Sequence, residues 1–262
     1  MGRGLWAPVA LSITFLAGPA SADVLDLTTA GSSGVINGAY FFQYTANLPT
    51  GTGVFGPFLR LQRNGTESGY NTSGTLQFDT RAGIWTHAIQ LSAIPVVNGY
   101  RQFALDINET ASGTNPLLSL DMVQLFVTSN ANITGYPFGG SATKVFDLDA
   151  PAGSSTADNW VKLNYSLSGS GSGRADMLMY VPDSAFTGTG NPYVVLYSKL
   201  GAQGGGLDAS DGFEEWSSND LSKILDTPRP PNIVPLPPAV WLLGAGLMGL
   251  LGIGRSRGRE VG

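Results

Sequence analysis

The residue types that carry most enzyme chemistry are scarce in this chain. It contains a single histidine, His87, and no cysteine. A Ser-His-Asp triad or a histidine-based metal site therefore has one possible centre, and thiol nucleophiles, cysteine-bound zinc, iron–sulfur clusters and disulfides are excluded. His87 lies within the apolar run 84–89, which is typical of a β-strand. A structural role for this histidine is favoured over a catalytic one.

Paired carboxylates offer another kind of chemistry, because glycoside hydrolysis needs an acid and a base or nucleophile roughly 5 to 9.5 Å apart. Glu214 and Glu215 are adjacent. On a strand their side chains would point to opposite faces and make a poor catalytic pair. Glu67 and Glu109 lie in turn-like segments without a recognisable catalytic context. The sequence therefore predicts no enzymatic activity, with a glycan-active enzyme as the remaining alternative.

Oxygen-rich loops supply candidate metal ligands. Asp208, Asp211 and Glu214 follow one another at short spacing, as do Asp147 and Asp149. Calcium prefers carboxylate and carbonyl oxygens, so the first group is a candidate calcium site. Neither group has the spacing of an EF-hand loop. Solvated turns are the favoured interpretation of both, and no cofactor is predicted.

Aromatic side chains could stack on sugar rings in a lectin-like site. Tyr136, Trp160 and Trp216 are candidates for such contacts. Packing in the core is the favoured role for any one of them, because large aromatic side chains bury much apolar surface. Binding to an exopolysaccharide is kept as an alternative function.

Composition narrows the class of protein. Charged residues make up 13% of the chain, and glycine accounts for 36 of its 262 residues. This argues against a helix-rich cytosolic enzyme or a coiled coil. The net charge is −5, and no long run of lysine and arginine is present to grip a phosphate backbone. Nucleic acid is therefore not a predicted partner.

Short aromatic or β-branched runs separated by glycine-rich turns dominate the middle of the chain, residues 23–226. This pattern predicts an all-β fold, a single β-sandwich of jelly-roll type, in one domain. The predicted strands cover residues 39–45, 54–61, 75–80, 84–91, 101–107, 117–128, 143–148, 160–167, 177–181 and 193–198.

The N-terminus has the three parts of a secretory signal peptide. Arg3 supplies a positive charge, residues 5–17 are almost uninterrupted in apolar or small side chains, and Ala20 and Ala22 flank Ser21. Signal peptidase cleaves after such a small-residue pattern. The apolar stretch is too short to span a bilayer. We predict a signal peptide over residues 1–22, with a short anchor or a buried helix as the alternative.

The C-terminus combines a proline-rich segment with an apolar run. Residues 227–235 predict a semi-extended linker, because proline cannot continue a helix. Residues 236–254 predict a transmembrane helix, with Trp241 near the membrane interface. At about 1.5 Å per residue, residues 239–254 reach only about 24 Å, which is marginal for a bilayer. A short span of this kind fits a temporary anchor in the inner membrane.

The last residues, 255–262, form a basic tail that sets the orientation of this helix. By the positive-inside rule, Arg255, Arg257 and Arg259 stay in the cytoplasm. The body of the protein is then expected outside the inner membrane, in agreement with the signal peptide. Ala245 and Gly249 have the spacing of a helix-packing motif, but a temporary anchor is favoured over helix dimerisation.

The tail resembles a known sorting signal. Val234, Pro235, Leu236, Pro237 and Pro238, followed by residues 241–247 and the arginines, resemble the VPLPA form of the PEP-CTERM signal. That family comprises exported proteins of Gram-negative, polysaccharide-producing bacteria. The resemblance implies recognition by exosortase, a membrane-embedded protease or transpeptidase that acts near the proline motif. Pro238 stands where the VPLPA pattern has alanine.

A second resemblance covers the last third of the predicted sandwich. Segments 168–173, 176–183, 193–198 and 211–216 resemble parts of the ectodomains of other PEP-CTERM proteins. This resemblance implies no catalytic residues. The sequence thus predicts a non-enzymatic protein, exported, held briefly in the inner membrane, processed by exosortase and delivered to the cell surface or extracellular matrix. A carbohydrate-binding module or glycan-active enzyme is the alternative.

Overall fold

The computed structural model describes residues 23–45, 55–110, 116–149, 158–168, 173–187, 190–210, 212–218 and 227–232. Within these ranges the regular structure consists of fourteen β-strands and three 3₁₀ turns, which confirms the all-β class. Among the same residues, no helix combines the length and apolar character needed to cross a membrane. The predicted signal peptide, transmembrane helix and basic tail lie outside the described residues.

Sheet 1 contains seven strands and is antiparallel except where its first strand pairs in parallel. The order along its main path is β1 (Val24–Asp26), β11 (Trp160–Asn164), β9 (Leu117–Thr128), β13 (Tyr193–Leu200) and β5 (Glu67–Tyr70). Two shorter partners lie off this path, β10 (Thr143–Asp147) against β9 and β6 (Ile89–Gln90) against β13.

Sheet 2 also contains seven strands, all paired antiparallel. Its order is β2 (Ser33–Ile36), β3 (Ala39–Gln43), β12 (Met177–Pro182), β8 (Tyr100–Asp106), β14 (Glu214–Ser217) and β4 (Pro57–Leu61), with β7 (Val96–Val97) against β8. Two of its hairpins, β2–β3 and β7–β8, close through Asn-Gly pairs with positive φ at both residues, the geometry of a type I′ turn.

The two sheets pack face to face around one hydrophobic core. On β8, Phe103 and Leu105 point into this core while Ala104 points to the outer face of sheet 2. On β12, Met177 and Met179 alternate in the same way with Leu178. This period-two alternation is what a sheet with one face in the core requires.

In the long central strand β9, the alternation of inward-facing side chains is interrupted at Asp121. Leu120 pairs with Leu200 and Met122 with Lys199, so Asp121 is an extra residue in β9. Such a β-bulge re-aims side chains locally. Asp121 is buried beside the loop after β13, where its carboxylate accepts from the Ala202 amide at 2.7 Å.

Most of the predicted strands are confirmed, but two predictions fail. Residues 75–80 are not a strand, because their backbone is held in a loop with Phe78 in the left-handed region at φ +61°. Residues 84–91 contain only the two-residue β6. The sequence patterns did not predict β1, β2, β5 and β7, which are short or rich in glycine and serine. They indicated β14 only as one possible conformation of the segment around Glu214 and Glu215.

Candidate functional site

His87 lies at the surface in an irregular segment, so its predicted place on a strand is wrong. The segment turns across the end of β4, where the His87 amide donates to the Phe58 carbonyl at 3.0 Å. The imidazole Nδ1 lies 2.9 Å from the Ala88 carbonyl oxygen. These contacts are local and to the backbone, which fits the structural role favoured from the sequence.

Glu214 and Glu215 point to opposite faces of β14, as the sequence predicts. Glu214 faces inward, on the same side as the core residue Trp216. Glu215 faces outward and forms an ion pair with Arg60. The Arg60 guanidinium also lies 4.5 Å from the ring centroids of Trp85 and Phe213, so cation–π contacts hold it from two further sides.

The placement of Glu67 in a turn is wrong, because it lies on β5, points between the sheets and is 0% exposed. Its carboxyl group accepts from the Arg63 amide at 2.8 Å, and it lies close enough to Glu214 for each carboxyl group to shift the pKa of the other. Burial raises the pKa of Glu67 to about 7 and the pKa of Glu214 well above its ordinary value.

Glu109 is buried near this pair, in the irregular segment after β8. Its Oε2 accepts from the Ser210 amide at 2.8 Å. The charge of Glu109 adds to the rise in the pKa of Glu214. Glu67 and Glu109 thus anchor the backbone amides of Arg63 and Ser210, and burial, followed by the charge of Glu67 and then that of Glu109, raises the pKa of Glu214.

A second carboxyl pair lies at the outer face of sheet 2. Asp106 accepts from the Gly173 amide at 2.6 Å, and Asp176 accepts from the Ile107 amide at 2.8 Å. Burial, and then the charge of Asp176, raise the pKa of Asp106 to about 9. Burial also raises the pKa of Asp176 to about 7. Burial therefore favours the neutral form of both groups more than water does.

The described structure does not bring together Asp208 and Glu214 of the candidate calcium site. Asp208 is exposed on the loop after β13, Glu214 is in the interior, and Asp211 lies outside the described residues. In the other candidate loop, Asp147 accepts from Lys144 and Gln124. Over the ranges that the structure describes, no three histidine, aspartate or glutamate side chains are grouped to hold a metal ion.

The aromatic residues proposed for sugar stacking have different environments. Trp216 is 0% exposed in the core, so it cannot contact a ligand, and core packing is confirmed for it. Trp160 is half-buried on β11. Tyr136 is half-buried on the outer face of sheet 1, where its ring stacks on Tyr197 with centroids 4.0 Å apart.

Tyr136 belongs to a group of interlocked rings that we call the sheet 1 aromatic cluster. Its rings meet mostly edge to face, with centroids 5.0 to 6.2 Å apart outside the Tyr136–Tyr197 stack, the arrangement that aromatic quadrupoles favour. The cluster consists of Tyr70, Phe78, Phe126, Tyr136, Phe138 and Tyr197.

Phe78 differs from the other members of the cluster, because it is 57% exposed. It and Phe138 are the non-glycine residues other than asparagine with positive φ in the described structure, at +61° and +74°. A bulky side chain in this region is a conformational outlier that costs on the order of 1 to 3 kcal/mol. Both strained phenylalanines thus lie in the same cluster.

Beside Phe78 the surface forms a polar cleft of about 490 Å³, which we call the Phe78 cleft. Arg63 and Asp79 form a long ion pair of 3.5 Å there, and Arg81 donates to the Gln62 carbonyl at 2.9 Å. The lining residues are Gln62, Arg63, Asn64, Phe78, Asp79, Thr80 and Arg81.

The outer face of sheet 2 carries its own group of rings, the sheet 2 aromatic cluster. Its rings are Tyr40, Phe42, Tyr44, Phe55, Tyr100 and Tyr180. Residues 227–232 lie against this cluster. The Tyr180 hydroxyl donates to the Pro228 carbonyl at 2.9 Å, and the Tyr44 and Thr227 hydroxyls are 3.2 Å apart. The start of the predicted linker, at Thr227, Pro228 and Pro230, therefore contacts the sandwich.

The other end of the described body is also fixed to the fold. The Asp23 amide nitrogen donates to the side-chain oxygen of Asn159 at 2.8 Å, and the Trp160 amide donates to the Asp23 carbonyl at 3.1 Å. Strand β1 begins at the next residue. The first described residue, which directly follows the predicted cleavage site at Ala22, is therefore bonded to the fold.

Sequence reasoning missed Phe78, Arg63 and Arg81 as neighbours in one cleft. A usable signal was present, since Phe78 and Asp79 precede Arg81 in a segment bounded by glycines at 74 and 83. The apolar–polar alternation of residues 75–80 instead favoured a strand.

Comparison of the chain with models of known protein families, with curated proteins and with solved structures found no match.

Proposed function

We propose that the chain is an exported, non-enzymatic protein of the cell surface or extracellular matrix, trimmed at both ends by signal peptidase and exosortase. The observation that carries this proposal is that residues close to both predicted cuts are hydrogen-bonded to the sandwich. Asp23 is bonded to Asn159, one residue after the predicted signal cleavage. At the other end, Asn98 donates to the Pro230 carbonyl at 2.9 Å, a few residues before the sorting motif that begins at Val234.

Neither predicted cut removes a residue that makes these contacts. Cleavage after Ala22 leaves the bonds of Asp23 intact, and a cut near Pro235 to Pro238 leaves the contacts of residues 227–232 intact. A protein processed in this way keeps its fold without further repair. The jelly-roll class is part of the same proposal, supported by the mainly antiparallel pairing within the two packed sheets.

The absence of enzymatic activity is supported by the surroundings of the acidic groups. The carboxyl pair on the inner side, Glu67 and Glu214, lies between the sheets and out of reach of a polymer. Outward-facing Glu215 is occupied by Arg60. In both places the geometry accounts for the carboxyl groups as structural.

The proposed anchoring is tested by cell fractionation of the full chain. In cells lacking exosortase, the wild-type protein should remain in the membrane pellet. Replacing Arg255, Arg257 and Arg259 with serine should shift it to the periplasmic fraction, because each arginine costs about 2.5 to 3.5 kcal/mol to draw to mid-membrane. If the triple variant stays in the membrane as firmly as the wild type, the arginines do not hold the tail and this account of it is wrong.

A further inference from the structure

We infer that the Phe78 cleft on sheet 1 binds an acidic saccharide, with the Phe78 ring as the stacking platform and Arg63 and Arg81 as the carboxylate-binding groups. The proposal concerns a ligand and does not depend on export, because it is tested with purified protein. It rests on the conformation of Phe78, the rigidity of its segment, and the charge and shape of the cleft.

The conformation of Phe78 calls for an explanation beyond packing. Its φ of +61° suits glycine and opposes a bulky side chain. More than half of its surface is exposed, so the ring gains little from burial in return. Tyr70 is buried without help from such strain. We therefore interpret the strained backbone as the feature that holds the Phe78 ring exposed at the surface.

The residues directly after Phe78 are fixed by backbone hydrogen bonds to β5 and to the end of β4. The Asp79 amide donates to the Ser68 carbonyl at 2.9 Å, and the Gln62 amide donates to the Asp79 carbonyl at 3.2 Å. The Arg81 amide donates to the Arg60 carbonyl at 2.9 Å. These bonds over-determine the backbone, which is how a strained residue persists. The ring is thus held ready in one position, which lowers the entropic cost of binding.

The ring also has firm support from below. Phe78 contacts Tyr70, Tyr136 and Tyr197 edge to face, with centroids 6.1 to 6.2 Å apart. Tyr136 is in turn stacked on Tyr197. A rigid aromatic surface of this kind offers contact area at a low entropic cost, as in other aromatic recognition sites.

The cleft beside the ring is locally basic in an acidic protein. The chain carries a net charge of −5, whereas the lining contributes Arg63 and Arg81 against Asp79 alone. Arg63 is exposed, and its ion pair with Asp79 is long at 3.5 Å, so its remaining N–H groups face solvent. Guanidinium groups bind carboxylates through paired hydrogen bonds. The charge of the cleft therefore favours an anionic ligand.

A saccharide fits this combination better than other anions. One face of a pyranose ring presents C–H groups that stack on an aromatic ring, while its rim presents hydroxyl groups. Phe78 supplies the ring, and Asn64 and Asp79 supply amide and carboxylate partners for hydroxyls. Long polyanions such as nucleic acids would meet the net negative charge of the protein. A uronic-acid unit satisfies the ring, the hydroxyl partners and the arginines together.

The test uses the full chain purified in detergent micelles, with isothermal titration calorimetry as the measurement. The probes are a hexamer of 1,4-linked uronic acid and the matching neutral hexamer of 1,4-linked glucose. We expect the uronic hexamer to bind, and the neutral hexamer to bind at least about tenfold more weakly. Binding should weaken as salt increases, because the arginines are exposed. Absence of uronic binding, or equal binding of both hexamers, would overturn the proposal.

Two variants locate the site. Phe78→Gly removes the ring and relieves the backbone, so the protein should fold as before and bind roughly tenfold more weakly. Arg63→Gln together with Arg81→Gln should abolish the preference for the uronic hexamer. The matched controls are Ile84→Gly, which removes another exposed apolar side chain, and Lys162→Gln, which changes charge elsewhere on sheet 1. If Phe78→Gly binds as tightly as wild type, or the controls weaken binding equally, the cleft is not the site.

Discussion

The two outer faces of the sandwich carry similar aromatic side chains but differ in what lies against them. The sheet 2 aromatic cluster lies against residues 227–232, which accept hydrogen bonds from Tyr180 and Asn98. The sheet 1 aromatic cluster ends in an exposed ring, Phe78, beside a basic cleft. In the two proposals made above, one face supports the end of the mature chain, whereas the other presents a surface to a ligand.

The largest expected effect comes from pH, because Asp106 and Asp176 are buried close together at the outer face of sheet 2. Their folded-state pKa values, about 9 and about 7, are raised above the ordinary value of 3.8. Because folding raises the pKa of these carboxyl groups, their contribution to the free energy of unfolding is complete below the pKa of the unfolded chain. It is lost as the pH rises through the pKa of the folded state. The free energy of unfolding should therefore fall by at least about 3 kcal/mol between pH 5 and pH 9.

Denaturant unfolding of the exported protein at the two pH values measures this loss. Asp106→Asn should remove a large part of it, because the amide stays neutral at both pH values. Asp208→Asn is the matched control, since Asp208 is exposed. Equal pH dependence in wild type and Asp106→Asn would show that this carboxyl group is ionised in the fold.

The next prediction concerns residues 227–232, which lie against the outer face of sheet 2. A chain that stops after Asp226 lacks the contacts of Thr227, Pro228 and Pro230. Losing three hydrogen bonds should lower the free energy of unfolding by about 2 to 3 kcal/mol. A chain that stops after Asn232 is the control and should match the processed protein. Equal stability of the two truncations would show that the segment does not stabilise the face.

A smaller effect separates the Tyr180–Pro228 hydrogen bond from the other contacts between residues 227–232 and sheet 2. Tyr180→Phe removes the hydroxyl that donates to the Pro228 carbonyl, and it should cost about 1 kcal/mol by denaturant unfolding. The same substitution in the chain that stops after Asp226 should cost less, because the partner is already gone. Additive costs in the two backgrounds would contradict the assigned pairing.

The smallest effect concerns the exposed ring of sheet 1. Phe78→Gly should change the free energy of unfolding by less than about 1 kcal/mol, because relief of the left-handed backbone offsets the lost ring contacts. Phe126→Ala, in the buried part of the same cluster, should cost about 3 kcal/mol or more. A cost for Phe78→Gly as large as that for Phe126→Ala would identify Phe78 as a packing residue.

Local patterns in the sequence predicted the long strands well. Residues 117–128 and 193–198 have enough apolar and β-branched side chains to identify β9 and β13. Strands such as β5, with Glu67 and Gly69, have no such signal, because they are set by pairing with β13. Glu67 was therefore placed in a turn, although it is the residue that meets Glu214 in the interior.

The candidate cleft depends on contacts that no local pattern contains. Arg63 follows β4, whereas Phe78 and Arg81 follow β5, and the backbone bonds between residues 60–68 and 79–81 bring them together. The left-handed φ of Phe78 is likewise imposed by these tertiary bonds against its own preference. Only the general idea of an aromatic sugar site was accessible from sequence, and of its three candidates Tyr136 alone lies in the cluster beneath Phe78.

The most direct test of the account is the intact mass of the exported protein, recovered from cells that contain the sorting enzyme. We expect the chain to begin at Asp23 and to end between Asn232 and Pro238, so that the bonds of Asp23 to Asn159 and of Asn98 to Pro230 both remain. Loss of residues beyond about Pro235 should depend on that enzyme. Recovery of an intact C-terminus from the extracellular fraction, or a start at Met1, would contradict the proposal that the body is released by processing at both ends.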